Sequence, residues 1–491
     1  MLDNEPHIKL SQKYFNYLAR RFPVMCSSDE FHFLPRAQSA ARYYDRLDDL
    51  DSKAVEEDIA TLKGFQTDFA QLAARENNLE NSIDLQLLQA NIAGILIEFT
   101  KKRTWQNNPL LYLKIAFIGL DHALTKPCTG PDECIERVLS RLAGIPNLLK
   151  QATDNITQVP QTYHRASQNM LSDCKRYLHE IGNNLLQSST GKRAEILSAG
   201  LANAAAALRT LDGFLVAMSP EPDHRFASET LETTLKDHFL TVRCVDDIYR
   251  MSLEDWEVNL NNLEKLRSKI DPASTWQELY HSFFPSDIDV KDTISLYTGE
   301  MDRLRLFFSR RGFSLVDLSR PVEIAETPAY LRSVRGAASF AAAFTPDVRE
   351  KSYFYITTHL PDFRTGEAAT LLKKRFHREF KMLTAHETIP GHHFLDSIRR
   401  RLVNPIRRQI ESPLFYEGWA SYAEFLLIDS GYVDSPMEAL VDYKRRLWRS
   451  ARCQVDVGLT TGKINLENAI RLLRFADSLP KKPIDRWTDF D

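Results

Sequence analysis

The stretch His386-Glu387-Thr388-Ile389-Pro390-Gly391-His392-His393 packs three imidazoles and a carboxylate into eight residues. A second polar cluster, Tyr416-Glu417-Gly418-Trp419-Ala420-Ser421-Tyr422-Ala423-Glu424, follows about thirty residues later. Imidazole nitrogens joined by a carboxylate from a distant segment are the donor set that holds a zinc-type ion. A Glu directly beside the first His can take the proton of an attacking water without itself binding the ion. The pattern points to metal-assisted hydrolysis, with His386 as the first ligand, Glu387 as the general base and Glu417 as the carboxylate ligand. Two imidazoles and one carboxylate leave a position open, as a catalytic site requires, and suit Zn2+ best, one ion per chain.

The second imidazole is spaced unusually. In a regular helix each residue advances about 100°, so His residues four apart share a face. Here the residue four after His386 is Pro390. Pro removes a backbone donor and clashes with the carbonyl one turn back, so a kink or π-type bulge is expected at Pro390-Gly391. Such a bulge swings His392 towards His386. An undistorted helix puts His393 on that face instead, and spacing alone leaves both open.

Several neighbours could assist. Glu424, seven residues after Glu417, shares its helical face and either orients a ligand or is a solvated surface carboxylate. Tyr422 is the candidate to donate a hydrogen bond to a developing oxyanion, with Tyr416 as a second; packing in a helix interface is the alternative for both. Asp456 could bond a ligand imidazole, and Arg449 or Arg452 could bind a substrate carboxylate. The runs Arg399-Arg400-Arg401, Arg407-Arg408 and Lys444-Arg445-Arg446 either favour substrates with a free C-terminal carboxylate or are solvated helix faces. His377 reads as an ordinary helical His.

The elements that must position these groups are mostly helices. Ile59, Leu62, Phe65, Phe69 and Leu72 make one apolar stripe over 54–75. Similar stripes span 85–99, 109–124, 134–153, 163–187, 192–218 and 230–269, and helices resume from about Glu367 through both motifs, 435–458 and 465–478. Between 305 and 360 the texture changes. Gly312 to Val316, Pro321 to Ile324 and Ser352 to Thr358 carry β-branched and aromatic residues in short runs, which predicts a small sheet or ribbon beside the active site. The fold class is therefore mainly α. A helical region over 1–300 would enclose the cleft, and 301–491 would carry the short strands and the metal helices.

Composition narrows the partners. With 43% hydrophobic residues, 491 positions are ample for a large core, and a net charge of −3 without basic, aromatic-interleaved stretches argues against nucleic acid. No export signal or bilayer-spanning stretch is read, which predicts a cytoplasmic protein that does not engage membranes. Six Cys in so long a chain predict free thiols, although Cys128 and Cys134, flanking a turn, could pair.

His-Glu-x-x-Pro-Gly-His-His followed by Glu-Gly-Trp-Ala-x-Tyr-Ala-Glu resembles the DUF885 family, bacterial proteins similar to gluzincin-type zinc metallopeptidases with a largely helical, zincin-like fold. Leu47 to Leu50, Trp105 to Leu113 and Arg141 to Leu149 look like further family landmarks, so the resemblance covers most of the chain. It implies His386 and His392 as the His ligands, Glu417 as the third ligand, Glu387 as base and His393 as a neighbour. The implied activity is zinc-dependent cleavage of short peptides. Two departures stand out. A Pro-Gly-Gln-Ala and Ser-Tyr segment usual in the family does not occur, and Asp456-Val457-Gly458-Leu459-Thr460 replaces a pattern ending in His. They motivate a second expectation, a truncated member that is inactive or only binds; a hydrolase of non-peptide amides or esters is the third.

Overall fold

Helix Ser52–Ala73 shows how these sequences become structure. Asp51 caps it by accepting from the backbone N–H groups of Lys53 and Ala54. Of the predicted stripe, Leu62 and Phe69 are fully buried, and Ile59, Phe65 and Leu72 pack against the same core. In the computed structural model the protein is described for residues 5–223, 228–285, 292–313, 322–335, 338–358 and 366–477, with backbone alone for 366–373. The fold is mainly α, as the stripes predict.

The chain forms two compact units, each built from three separate stretches. The first comprises residues 1–224, 320–357 and 396–413; the second comprises 225–319, 358–395 and 414–491.

In the first unit the helices Pro6–Arg21, Ser52–Ala73, Leu79–Leu96, Pro109–Thr125, Pro131–Asn155, Gln161–Gln187 and Gly191–Ala217 surround one large apolar core. The landmarks outside the His motif meet inside it. Gly144 faces the Leu47 side chain so closely that an added Cβ would lie 3.1 Å from it, tighter than ordinary contact. Asn155 Nδ2 donates to the Leu50 carbonyl at 2.6 Å and to the Tyr112 hydroxyl at 2.9 Å, and that hydroxyl donates to the Trp105 carbonyl at 2.6 Å. Arg141 is fully buried and donates from Nε to the Tyr44 carbonyl at 2.9 Å. These residues hold the fold.

The first unit also carries a three-stranded sheet, β1 (Val322–Glu326), β2 (Ala338–Ala341) and β3 (Ser352–Ile356), in the order β1-β3-β2. β1 runs parallel to β3 with Ile324 opposite Phe354, and β2 antiparallel with Phe340 opposite Phe354. Ser352, Phe354 and Ile356 point into the core, while Tyr353 and Tyr355 alternate to the other face and stack on each other. Two strands match predicted runs; β2, rich in Ala and Ser, was not predicted. Of the run from Gly312, Gly312 lies past the end of a helix with φ 85°, and residues 314–316 lie outside the described residues.

In the second unit, the helix expected over 230–269 is broken. A π-helical turn, Thr234–His238, is followed after Phe239 by Leu240, which takes a left-handed φ of 53°, and a new helix, Val245–Ile270, starts behind a Cys244/Asp247 capping box. This helix packs along Pro436–Thr461 and joins Trp276–Ser282 and Leu466–Ala476 around a core of Leu263, Trp276, Tyr280, Leu440 and Leu447. A neighbouring core joins Leu304, Phe308, Met382, Ala385, Ile389 and Leu427. All six cysteines are free thiols. No described helix is long and apolar enough to cross a membrane.

Candidate metal centre

The first of the site helices, Gly366–Glu387, ends where the sequence forces it to. Pro390 follows a cis Ile389-Pro390 bond, and the next helix begins at His392 and runs to Arg399. The interruption is a full break with two long-span hydrogen bonds, Gly391 N–H to the Ala385 carbonyl at 2.9 Å and Phe394 N–H to the Thr388 carbonyl at 3.2 Å. Gly391 passes so close to the preceding turn that a Cβ there would sit 1.9 Å from the His386 carbonyl oxygen. Only glycine fits. The resulting loop is short enough to bring His392, six residues on, beside His386, with ring centroids 4.9 Å apart and planes at 88°. His393, about 100° further around its helix, is buried next to it.

Helix Pro413–Asp429 supplies the rest. Trp419 Nε1 donates to the Pro390 carbonyl at 2.8 Å and so ties this helix to the break. Glu417 then meets both imidazoles through different oxygens: His386 Nε2 lies 3.6 Å from Oε2, and His392 Nε2 lies 3.6 Å from Oε1. Three ligands about 2.1 Å from a tetrahedral ion would be about 3.4 Å apart, so this spacing fits a zinc-sized ion. Ligand atoms of His386, Glu387 and His392 also lie within 4.8 Å of one another. Tyr416 stacks on His392 with centroids 4.1 Å apart.

Behind His386 is a buried ionic network. Glu424, fully buried, has an oxygen 2.8 Å from His386 Nδ1, while Nε2 on the other side of the ring faces Glu417. A carboxylate behind a ligand imidazole fixes its tautomer and orientation. Arg445 grips Glu424 with two bonds of 2.9 Å and reaches Glu379 with a third of 2.5 Å; Arg449 also pairs with Glu424. Glu379 in turn accepts from the Tyr280 hydroxyl at 2.6 Å.

These contacts set the protonation of the site. Burial pushes the Glu387 carboxyl up to about 7, against the pull of the neighbouring His386. Burial disfavours charge on His386, but its bonds to Glu417 and Glu424 outweigh that and raise it to about 9. Glu424 is desolvated too, yet Arg445 and Arg449 hold it well below the usual carboxylate range.

The other candidates have varied surroundings. Glu424, one of two open readings, is no solvated side chain. Asp456 and Arg452 are exposed, and Asp456 sits eleven residues beyond Arg445, about 16 Å along the helix; the carboxylate beside His386 Nδ1 is Glu424. Arg449 is paired with Glu424. Tyr422 is half-exposed against Trp419 and Phe425, about 140° around the helix from Glu417. In the basic runs, Arg399 pairs with Asp396 and Glu411, Arg407 with Asp84, Lys444 with Asp477 and Arg446 with Asp442, so these four side chains are engaged within the fold, while Arg401 is exposed. His377 is buried against Phe284.

Glu379 escaped the sequence reading, which took Arg445 only as part of a basic run. A signal was present: Glu379 precedes His386 by seven residues, as Glu417 precedes Glu424, and seven residues return a helix to nearly the same face.

A family model described as "Bacterial protein of unknown function (DUF885)" matches residues 35–485. Among curated proteins nothing matches. Two solved structures are similar in fold. One is a candidate lipoprotein of unknown function from Shewanella oneidensis, 17% identical, with a TM-score of 0.66 over 97% of this chain and 90% of that one. The other is a candidate lipoprotein from Colwellia psychrerythraea, 15% identical, with a TM-score of 0.71 over 97% of this chain and 86% of that one.

Proposed function

This chain belongs to the DUF885 family of bacterial proteins, and we propose that it is a zinc-dependent hydrolase that cleaves peptide bonds of short peptides. The observation that carries the reading is the pair of 3.6 Å approaches of His386 Nε2 and His392 Nε2 to the two oxygens of Glu417, backed by Glu424 on His386 Nδ1. His386, His392 and Glu417 would hold the ion. When bound, the ion supplies Lewis-acid polarisation of a carbonyl and eases deprotonation of water.

The chain's own residues do the proton work. Glu387, buried and poised near neutrality, takes the proton of the attacking water and delivers it to the leaving amine. Glu424, Arg445 and Glu379 hold His386 in one orientation throughout. Tyr416 keeps the His392 ring from turning. The oxyanion role of Tyr422, whose half-exposed ring lies about 140° around the helix from Glu417, is tested by Tyr422→Phe. The two lipoprotein neighbours favour the cell envelope over the cytoplasm as the working compartment, which fractionation of cells expressing the native gene would decide.

The first test is metal content by plasma mass spectrometry on chelator-free, untagged protein, with His386→Ala as control. Near one zinc per chain, lost in the control, supports the ligand set. No metal after zinc is added back would make this a binding-only or inactive member. A peptide library screen with Glu387→Gln alongside then tests the activity; equal rates for both would reject Glu387 as base.

A further inference from the structure

The first unit holds a cavity of about 50 Å³ that is remote in sequence from the His motif and that the hydrolase reading leaves unused. Tyr353 and Tyr355, the β3 side chains turned away from the core, form one wall with their rings stacked 5.3 Å apart and parallel within 4°. Asp121, Lys126, Glu30 and Arg335 bring charge to it.

Most of that charge is spoken for. Lys126 pairs with Glu350 at 2.7 Å, and Glu30 pairs with both Lys114, at 2.9 Å, and Arg335. Two groups keep capacity to spare. Arg335 lies over the Tyr355 ring with its side chain only 9% exposed, yet its Nη1 is buried without a hydrogen-bond partner. A buried guanidinium donor left unmade is costly, and a ligand acceptor would relieve it. Asp121 accepts from the Tyr177 hydroxyl at 3.0 Å, a single neutral partner for a carboxylate with room for more.

Lys351 pairs with Glu323, and Asp29 pairs with Arg36, which Asp396 and Glu411 share. One buried cationic donor and one under-used carboxylate are left lining the same cavity, and a ligand carrying both signs would satisfy them together. We propose that this cavity binds a free α-amino acid, its carboxylate accepting from Arg335 Nη1, its ammonium donating to Asp121 and its side chain lying against Tyr353 and Tyr355. A single water needs roughly 10–15 Å³ of such space, so the volume admits the zwitterionic head and a small side chain. The inference does not rest on the metal site, and its test needs no catalysis.

The experiment is calorimetric titration of the full chain, in chelator, with L-alanine, propionate and ethylamine. Saturable binding of alanine, with the two half-ligands at least about tenfold weaker, is the expected result. Asp121→Asn and Arg335→Gln should each weaken alanine by about tenfold or more; thermal unfolding checks that each variant folds. Asp121→Asn is near-isosteric and keeps the test decisive if Arg335→Gln does not fold. The proposal is overturned by no alanine binding up to about 10 mM, by propionate binding as well as alanine, or by a folded Asp121→Asn with unchanged affinity.

Discussion

His386 Nδ1 lies 2.8 Å from a Glu424 oxygen that no solvent reaches, so the first candidate ligand is oriented from behind by a carboxylate two turns further along the helix that presents Glu417. Glu424→Gln removes the charge but keeps the shape. It should lower zinc affinity by about 10- to 100-fold, because a less basic and less constrained imidazole is a poorer ligand. It also leaves Arg445 and Arg449 without their shared partner, at a cost of about 3–5 kcal/mol in stability. Competition with a chromogenic chelator reads the first effect and denaturant unfolding the second. Unchanged zinc affinity would reduce Glu424 to a structural ion-pair partner.

Glu387→Gln should separate chemistry from binding. The variant should keep its metal while peptide hydrolysis falls by about 10²- to 10⁴-fold, the usual contribution of a general base. Metal content and turnover measured on one preparation would show both.

The same substitution predicts a pH effect on the metal-free chain. Burial raises Glu387 from 4.5 to about 7, so the folded state holds this proton more tightly than the unfolded chain does. Stability contributed by the neutral carboxyl is fully present below about pH 4.5 and is lost as pH rises through about 7. Above pH 7 the penalty is on the order of 3 kcal/mol. Gln, which never ionises, should raise the unfolding midpoint of the chelated protein at pH 8 and make no difference near pH 4. An advantage of equal size at both pH values would remove burial of charge as its cause.

Gly391→Ala tests the helix break. The new Cβ would lie 1.9 Å from the His386 carbonyl oxygen, a backbone atom that can yield only by moving the ligand itself. The expected outcome is a loss of several kcal/mol or a folded protein without zinc. A stable variant with full metal content would show that the break can be made another way.

Arg141→Met addresses a family landmark instead of the site. Arg141 is buried, its guanidinium bonded to the Tyr44 carbonyl, and burial pulls its pKa down to about 10. Met fills the space but leaves that carbonyl without its donor, so stability should fall by about 1–3 kcal/mol. Zinc bound per folded molecule should not change. Loss of zinc from folded protein would give this landmark a role at the metal site.

The sequence alone determined those features that depend on neighbours along the chain. Apolar stripes such as Leu62 and Phe69 define helices because the 3.6-residue repeat is local, and Pro390-Gly391 between two His residues announces a break because proline cannot continue a helix. The donor inventory of His386, Glu387, Glu417 and a second imidazole from His392 or His393 was legible for the same reason. Tertiary structure decided everything that depends on how distant segments meet. It selected His392 over His393 beside His386, since that choice needs the path of the broken helix. It buried Glu424 and tied Arg445 to both Glu424 and Glu379, where the sequence offered an acidic residue and a basic run. It placed β2 in the sheet although Ala and Ser have weak strand preference, because pairing with β3 supplies the hydrogen bonds. Charge and burial are properties of surroundings, and surroundings exist only once the chain has folded.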